Sequence, residues 1–213
     1  MKKLLLIVVA LSYLSICSKA QETNVDLRDN LMFGVKLGLN LSNVYDTKGE
    51  AFNTDPKFGF VAGGFLTIPI TTLIGLQPEV LFSQKGFRGT GTFLGNNYDL
   101  TRTTSYIDIP LLIAVRPTSQ ITIMAGPQYS YLINQKDVFS SGSFNYVDEQ
   151  NFENSNIRKN IFCFLGGMDI SFNHLVLGAR IGWDITDNNG DGTSTTPRYK
   201  NVWYQGTIGY RLF

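Results

Sequence analysis

Apolar and polar residues alternate with a period of two along several stretches of this chain. From Phe33 to Leu41 the odd positions are Phe33, Val35, Leu37, Leu39 and Leu41, with Gly34, Lys36, Gly38 and Asn40 between them. Ile107, Ile109, Leu111, Ile113 and Val115 form a second apolar face, opposed by Tyr106, Asp108, Pro110, Leu112 and Ala114. The pattern returns at Leu175 to Ile185 and at Val202 to Leu212. A two-residue period is that of a strand with one apolar face. Less regular runs at 58–70, 74–87, 121–133 and 161–172 bring the predicted number of strands to eight.

The links between these runs differ in length. Short ones, around Thr71-Thr72, Pro117 to Gln120 and Asn173-His174, alternate with long polar ones at 43–57, 88–102, 134–160 and 186–200. Eight strands with short turns at one end and long loops at the other predict an all-β fold, an eight-stranded antiparallel up-and-down transmembrane β-barrel. Closure follows, because unpaired amides in hydrocarbon are too costly for an open sheet. Aromatic residues on the apolar faces fall into two bands. Phe60, Phe82, Tyr129, Tyr131, Phe162, Phe164, Trp183 and Tyr204 lie toward the long loops, and Phe33, Phe172 and Tyr210 toward the short turns. Such girdles mark membrane interfaces. A soluble lipocalin-like barrel would point its apolar side chains inward, yet here the charges sit on the opposing faces beside many glycines. Pro69, Pro78, Pro110 and Pro127 fall within the predicted strands and each removes a ladder donor; bulges or positions near the membrane interface would accommodate them.

The N-terminus changes the picture of the mature chain. Met1-Lys2-Lys3 is basic, Leu4 to Ile16 is almost wholly apolar, and Ser18-Lys19-Ala20 offers small residues at a cleavage site. Residues 1–20 read as a secretory signal peptide, leaving 21–213 as the barrel domain. Cys17 leaves with it; acylation of Cys17 fits poorly with the bulky Ile16 before it. Cys163 then stands alone, with no intramolecular disulfide. Only 16% of the 213 residues are charged and the net charge is +1, which excludes a disordered chain and gives no electrostatic case for nucleic acid.

Several motifs resemble a known family. Gly34-Val-Lys-Leu-Gly-Leu-Asn40, Leu76-Gln-Pro-Glu-Val-Leu-Phe-Ser-Gln-Lys-Gly86, Tyr106-Ile-Asp-Ile-Pro-Leu-Leu112, Ala125-Gly-Pro-Gln-Tyr129 and Gly209-Tyr-Arg-Leu-Phe213 are similar to the PorT-like outer-membrane β-barrel family. The resemblance implies the barrel fold, and the prolines belong to its motifs. Its named member is associated with a secretion apparatus, a role that the motifs do not carry over. Phe213 is out of phase with the apolar Tyr210 and Leu212, which bears on the register of the last strand.

Candidate chemistry is sparse. His174 is the sole histidine and falls in a short turn, far from the rim where an enzyme would meet lipid or peptide. The opening Asp187-Asn-Asn-Gly-Asp-Gly192 matches the start of a calcium loop, with Asp187, Asn189 and Asp191 as oxygen ligands; Arg198 stands where the bidentate acid belongs. The other reading of this segment is a polar hairpin loop. No other cofactor is indicated. The inward registers place Lys36, Lys85, Arg180 and Arg211 with Glu79, Asp108, Asp169 and Asp184 around a lumen narrow enough for side chains to fill. Equal numbers of acids and bases suggest a mutually satisfied network, with Glu79 and Asp108 meeting Arg180 and Arg211 across it. The expected function is a non-enzymatic, monomeric outer-membrane barrel in contact with outer-membrane lipid. It would present four loops as an anchor, an adhesin or the partner of an envelope protein. A barrel enzyme at the outer rim and a small passive pore are the alternatives.

Overall fold

A computed structural model describes residues 27–46, 54–93, 96–141, 144–150, 158–188 and 199–212. A single 3-10 turn, Leu27–Asp29, leads into strand β1 (Met32–Asp46). There follow β2 (Thr54–Pro69), β3 (Ile74–Phe93), β4 (Asn96–Val115), β5 (Ile121–Ser141), β6 (Phe144–Gln150), β7 (Asn160–Phe172), β8 (Leu175–Asp184) and β9 (Tyr199–Arg211). Each pairs antiparallel with its neighbour, and β1 pairs with β9, as in Gly34 with Arg211 and Asp46 with Tyr199. The β4–β5 pairing completes the ring, so eight strands close into a barrel. The ninth strand, β6, pairs with β5 alone, beyond the rung where β5 leaves β7.

Two of the expected long loops are thus largely strand. Within 88–102, β3 and β4 continue to Phe93 and Asn96, and the register runs unbroken from Phe87 opposite Arg102 to that end. Within 134–160, β5 and β6 form a second long hairpin. Alternation fails there for a physical reason. It reports an apolar face turned to lipid, and beyond the membrane the outward face need not be apolar while the backbone ladder goes on. The prolines bring a second correction. Register shifts occur at Pro56/Val61 in β2–β3 and at Ser105/Tyr106 in β4–β5. Pro78 opposite Leu111, Pro110 opposite Gln128 and Pro127 opposite Phe164 stay in register. Each forgoes one donor without inserting a residue.

The barrel is inside out relative to a soluble protein. Leu37 is 66% exposed and Leu39 57%, whereas Lys36 is 5% exposed and Glu79 2%. Cross-strand ring pairs stiffen the outer surface at the long-hairpin end: Phe60 with Phe82 at 5.1 Å, Tyr129 with Phe162 at 5.6 Å and Phe164 with Trp183 at 5.3 Å. At the other end Asn173 takes the left-handed conformation (φ 50°) that a two-residue hairpin turn needs. The lumen is lined unevenly. Leu112 and Ala114 of β4, Met124 and Leu132 of β5, and Ile161 and Leu165 of β7 form an apolar wall with Trp203 of β9. Gly182 of β8 leaves room for the Trp203 ring, which a Cβ there would strike.

Candidate functional site

Three groups of charged side chains stack along the lumen. Nearest the short turns, Glu79 is held from both sides. Lys36 Nζ on β1 donates to its Oε1 at 2.8 Å, and Arg180 Nη1 on β8 donates to both oxygens at 2.9 and 2.8 Å. Gln77, two residues along β3 on the same face, adds a third donor at 2.8 Å. Arg180 extends the group through Nη2, which lies 3.2 Å from Asp169 Oδ2 on β7 and 3.1 Å from Met124 Sδ. Every one of these charged groups is buried, so each depends on the others for compensation.

The middle group centres on Lys85. Its Nζ lies 3.1 Å from Asp108 Oδ2, 3.7 Å above the Trp203 ring and 4.9 Å from that of Tyr106. Asp184 is close by but takes its hydrogen bonds from neutral donors. Cys163 Sγ donates to Oδ1 at 3.2 Å, and Oδ2 accepts from Asn188 Nδ2 at 3.1 Å, Asn201 N at 2.9 Å and Asn201 Nδ2 at 2.5 Å.

At the long-hairpin mouth Arg102 of β4 forms a fork with Asp137 of β5, Nε to Oδ1 at 2.8 Å and Nη2 to Oδ2 at 2.7 Å. Its Nη1 donates to Tyr199 Oη at 2.7 Å, and Tyr199 packs edge-on against Phe87 at 5.5 Å. This group lies above the aromatic band. Burial works against the Arg102 charge, but the Asp137 hydrogen bonds and charge outweigh it and raise its pKa. Burial raises the Tyr199 phenol, opposed by the Arg102 charge.

All eight charged residues expected around the lumen are buried there, but the pairing differs from the expectation. Glu79 reaches Arg180 across the barrel. Asp108 is met by Lys85 of the adjacent strand instead of an arginine, and Arg211 Nη2 donates to Ser171 Oγ at 2.7 Å. Asp108 and Arg211 lie at different heights along the lumen, and Lys85 on the neighbouring strand is the cation within reach of the carboxylate. Arg102, Asp137 and Tyr199 were hidden because they fall in segments that read as loops; Gln77 shares the face of Glu79 and was legible by parity. The remaining candidates lie apart. His174 Nδ1 is 2.9 Å from the Arg211 carbonyl and its ring stacks on Tyr210. Asp187 Oδ1 lies 3.6 Å from Lys200 Nζ. Asn189, Asp191, Arg198, Phe213 and residues 1–20 are outside the described residues.

A lumen closed by paired charges inside a lipid-facing barrel is the setting in which the sequence match acquires its meaning. Residues 19–189 match the family described as outer membrane protein beta-barrel domain. The chain belongs to that family. Its location is therefore the outer membrane. Among solved structures, Ail, the attachment invasion locus protein of Yersinia pestis, in complex with the heparin analogue sucrose octasulfate, is similar at 12% identity. The match covers 85% of this chain and 99% of that one, with a TM-score of 0.50. Neisserial surface protein A is similar at 10% identity over 84% and 96% of the two chains, with a TM-score of 0.48. At such identity the likeness is one of fold. No curated protein sequence matches the chain. The match names the outer-membrane barrel domain, and the finer PorT-like resemblance is not shown by it.

Proposed function

We propose that this outer-membrane barrel conducts nothing freely and serves to present its long hairpins, β3–β4 and β5–β6, outside the cell, as an anchor, an attachment surface or a docking partner. The observation that carries this reading is the lumen itself. Buried ion pairs fill it at two levels within the aromatic bands, and the Arg102–Asp137 fork caps it above them. The hairpins continue well beyond the aromatic band, where they can meet an external partner. In this reading residues 1–20 are removed as a signal peptide and the chain begins at Gln21. The short turns and both ends of the barrel face the periplasm. The ring closes within one chain and leaves no edge in the hydrocarbon, which supports a monomer. The PorT-like motifs, among the described residues, fall mainly in the strands that build the ring and bring no task with them. The printed name of Ail, an attachment protein, makes attachment a concrete form of the proposal.

Planar-bilayer recording on the refolded barrel tests the closed lumen. No steady current is expected; nanosiemens conductance would mean an open channel and overturn it. Tags inserted near Asn145 and near Ser119 test the orientation, with only the first expected to label on intact cells.

A further inference from the structure

Of the lumen cations Lys36, Lys85, Arg180 and Arg211, Arg211 alone forms no ion pair among the described residues. It is 9% exposed and lies at the short-turn end, where its backbone N–H donates to the His174 carbonyl. Its Nη2 donates to the Ser171 hydroxyl at 2.7 Å, and its buried Nε has no acceptor among the described residues. Arg180 also leaves Nε without an acceptor, but two carboxylates meet its charge. One of them is Asp169, the inward residue next to Ser171 on β7, so that acid is already taken. Asp184, the acid without a direct cation, stands at the opposite end and is satisfied by neutral donors. Arg211 has no equivalent set of partners. A buried guanidinium with one neutral acceptor is short of both hydrogen bonds and compensating charge.

The surroundings say what would meet that need. In Arg102 the Nε and Nη2 edge of the guanidinium holds both oxygens of Asp137. In Arg211 the same edge meets a serine oxygen at Nη2, and Nε is left to donate elsewhere. Ser171 Oγ accepts from Nη2, so its own proton is available to the same ligand. The Phe65 ring fills the inward space over Gly34, which pairs with Arg211, and over Gly209. A ligand therefore reaches Arg211 from the short-turn end and has little depth to occupy. Arg116, just past β4 at that end, adds a second buried guanidinium, held by the Thr71 carbonyl, and favours a negative charge there. A carboxylate matches the donor edge in shape and charge. We propose that Arg211 Nε and the Ser171 hydroxyl bind the carboxylate of a small monovalent organic acid at the short-turn end of the lumen. The site goes beyond the function proposed above, and the purified barrel shows it in either orientation.

Solution NMR of the barrel, refolded in an uncharged detergent, tests this with sodium acetate replacing sodium chloride at constant ionic strength. The Arg211 Nε–H resonance is expected to shift and to saturate, with a midpoint on the order of 10 mM for a pair of hydrogen bonds to a charged group. The Arg102 Nε–H resonance, already engaged by Asp137, should stay in place. Saturation transfer from the barrel to the acetate methyl should follow the same midpoint. Arg211→Gln should weaken that transfer about tenfold or more, since the charged donor is gone. Heat-modifiable gel mobility confirms that the variant is folded. Should it not fold, the Nε–H titration of the unmutated barrel decides by itself. Absence of a saturable shift up to about 100 mM, ten times the expected midpoint, would overturn the proposal. So would an equal shift at Arg102, an equal response to inorganic phosphate, or unchanged transfer to folded Arg211→Gln.

Discussion

Glu79 and Asp184 are both buried carboxylates inside the same barrel, and they are stabilised in opposite ways. Glu79 is gripped by two cations, Lys36 and Arg180, together with Gln77. Asp184 receives four hydrogen bonds, all from uncharged donors. Removing the Glu79 charge leaves Lys36 without its carboxylate and Arg180 with Asp169 alone, both at buried positions. Removing the Asp184 charge leaves neutral donors that an amide oxygen can also meet, and a nearby Lys85 that keeps its direct partner Asp108. The lesson is that an equal count of acids and bases in a lumen does not mean one-to-one pairing. A buried carboxylate can be held by direct ion pairs or by hydrogen bonds from neutral donors, and the two have different consequences when broken.

Glu79→Gln should therefore produce the largest loss, about 3–5 kcal/mol, the usual cost of orphaning a buried charge. Urea titration of the refolded barrel in micelles, followed by gel mobility, measures it. A loss below about 1 kcal/mol would mean that water enters and screens this group. Lys85→Met comes next, at about 3 kcal/mol, because Asp108 then loses its cation. It should also change the fluorescence of Trp203, whose ring lies under the ammonium; an unchanged spectrum would argue against that packing. Arg102→Lys trades a two-pronged contact for a point charge at a partly exposed mouth, where side-chain exposure is 18% for Arg102 and 22% for Asp137. About 1 kcal/mol is expected, read as faster proteolysis of the upper hairpins with the barrel core still resistant. Asp184→Asn should cost least, under about 1 kcal/mol, since the Asn201 and Asn188 donors keep an oxygen to meet. If Asp184→Asn proves as damaging as Glu79→Gln, the distinction between the two carboxylates fails.

The mouth shows where reading by pattern stops. Alternation marked the parts of the strands that touch lipid, because only there must one face be apolar and the other polar. It could not mark β6, or the upper parts of β3, β4 and β5, where the outward face no longer has to be apolar, although inward residues such as Phe87 and Gln135 are still buried. Arg102 and Asp137 therefore looked like loop residues, although the β4–β5 register places them directly opposite each other.

The sequence by itself determined the all-β barrel, its eight membrane strands, the aromatic bands and the residues that share the inward face. All of these follow from a two-residue period and from the exclusion of charge from lipid. Which inward residues touch was decided by the tertiary structure alone. Pairing across a lumen depends on the relative heights of strands far apart in the chain, and those heights are set by hydrogen-bond register and strand tilt. Parity along one strand contains neither. Hence Glu79 could be assigned to the lumen from its position among Gln77, Leu81 and Ser83, while its grip by Lys36 and Arg180 emerged only once β1, β3 and β8 had been closed into one ring.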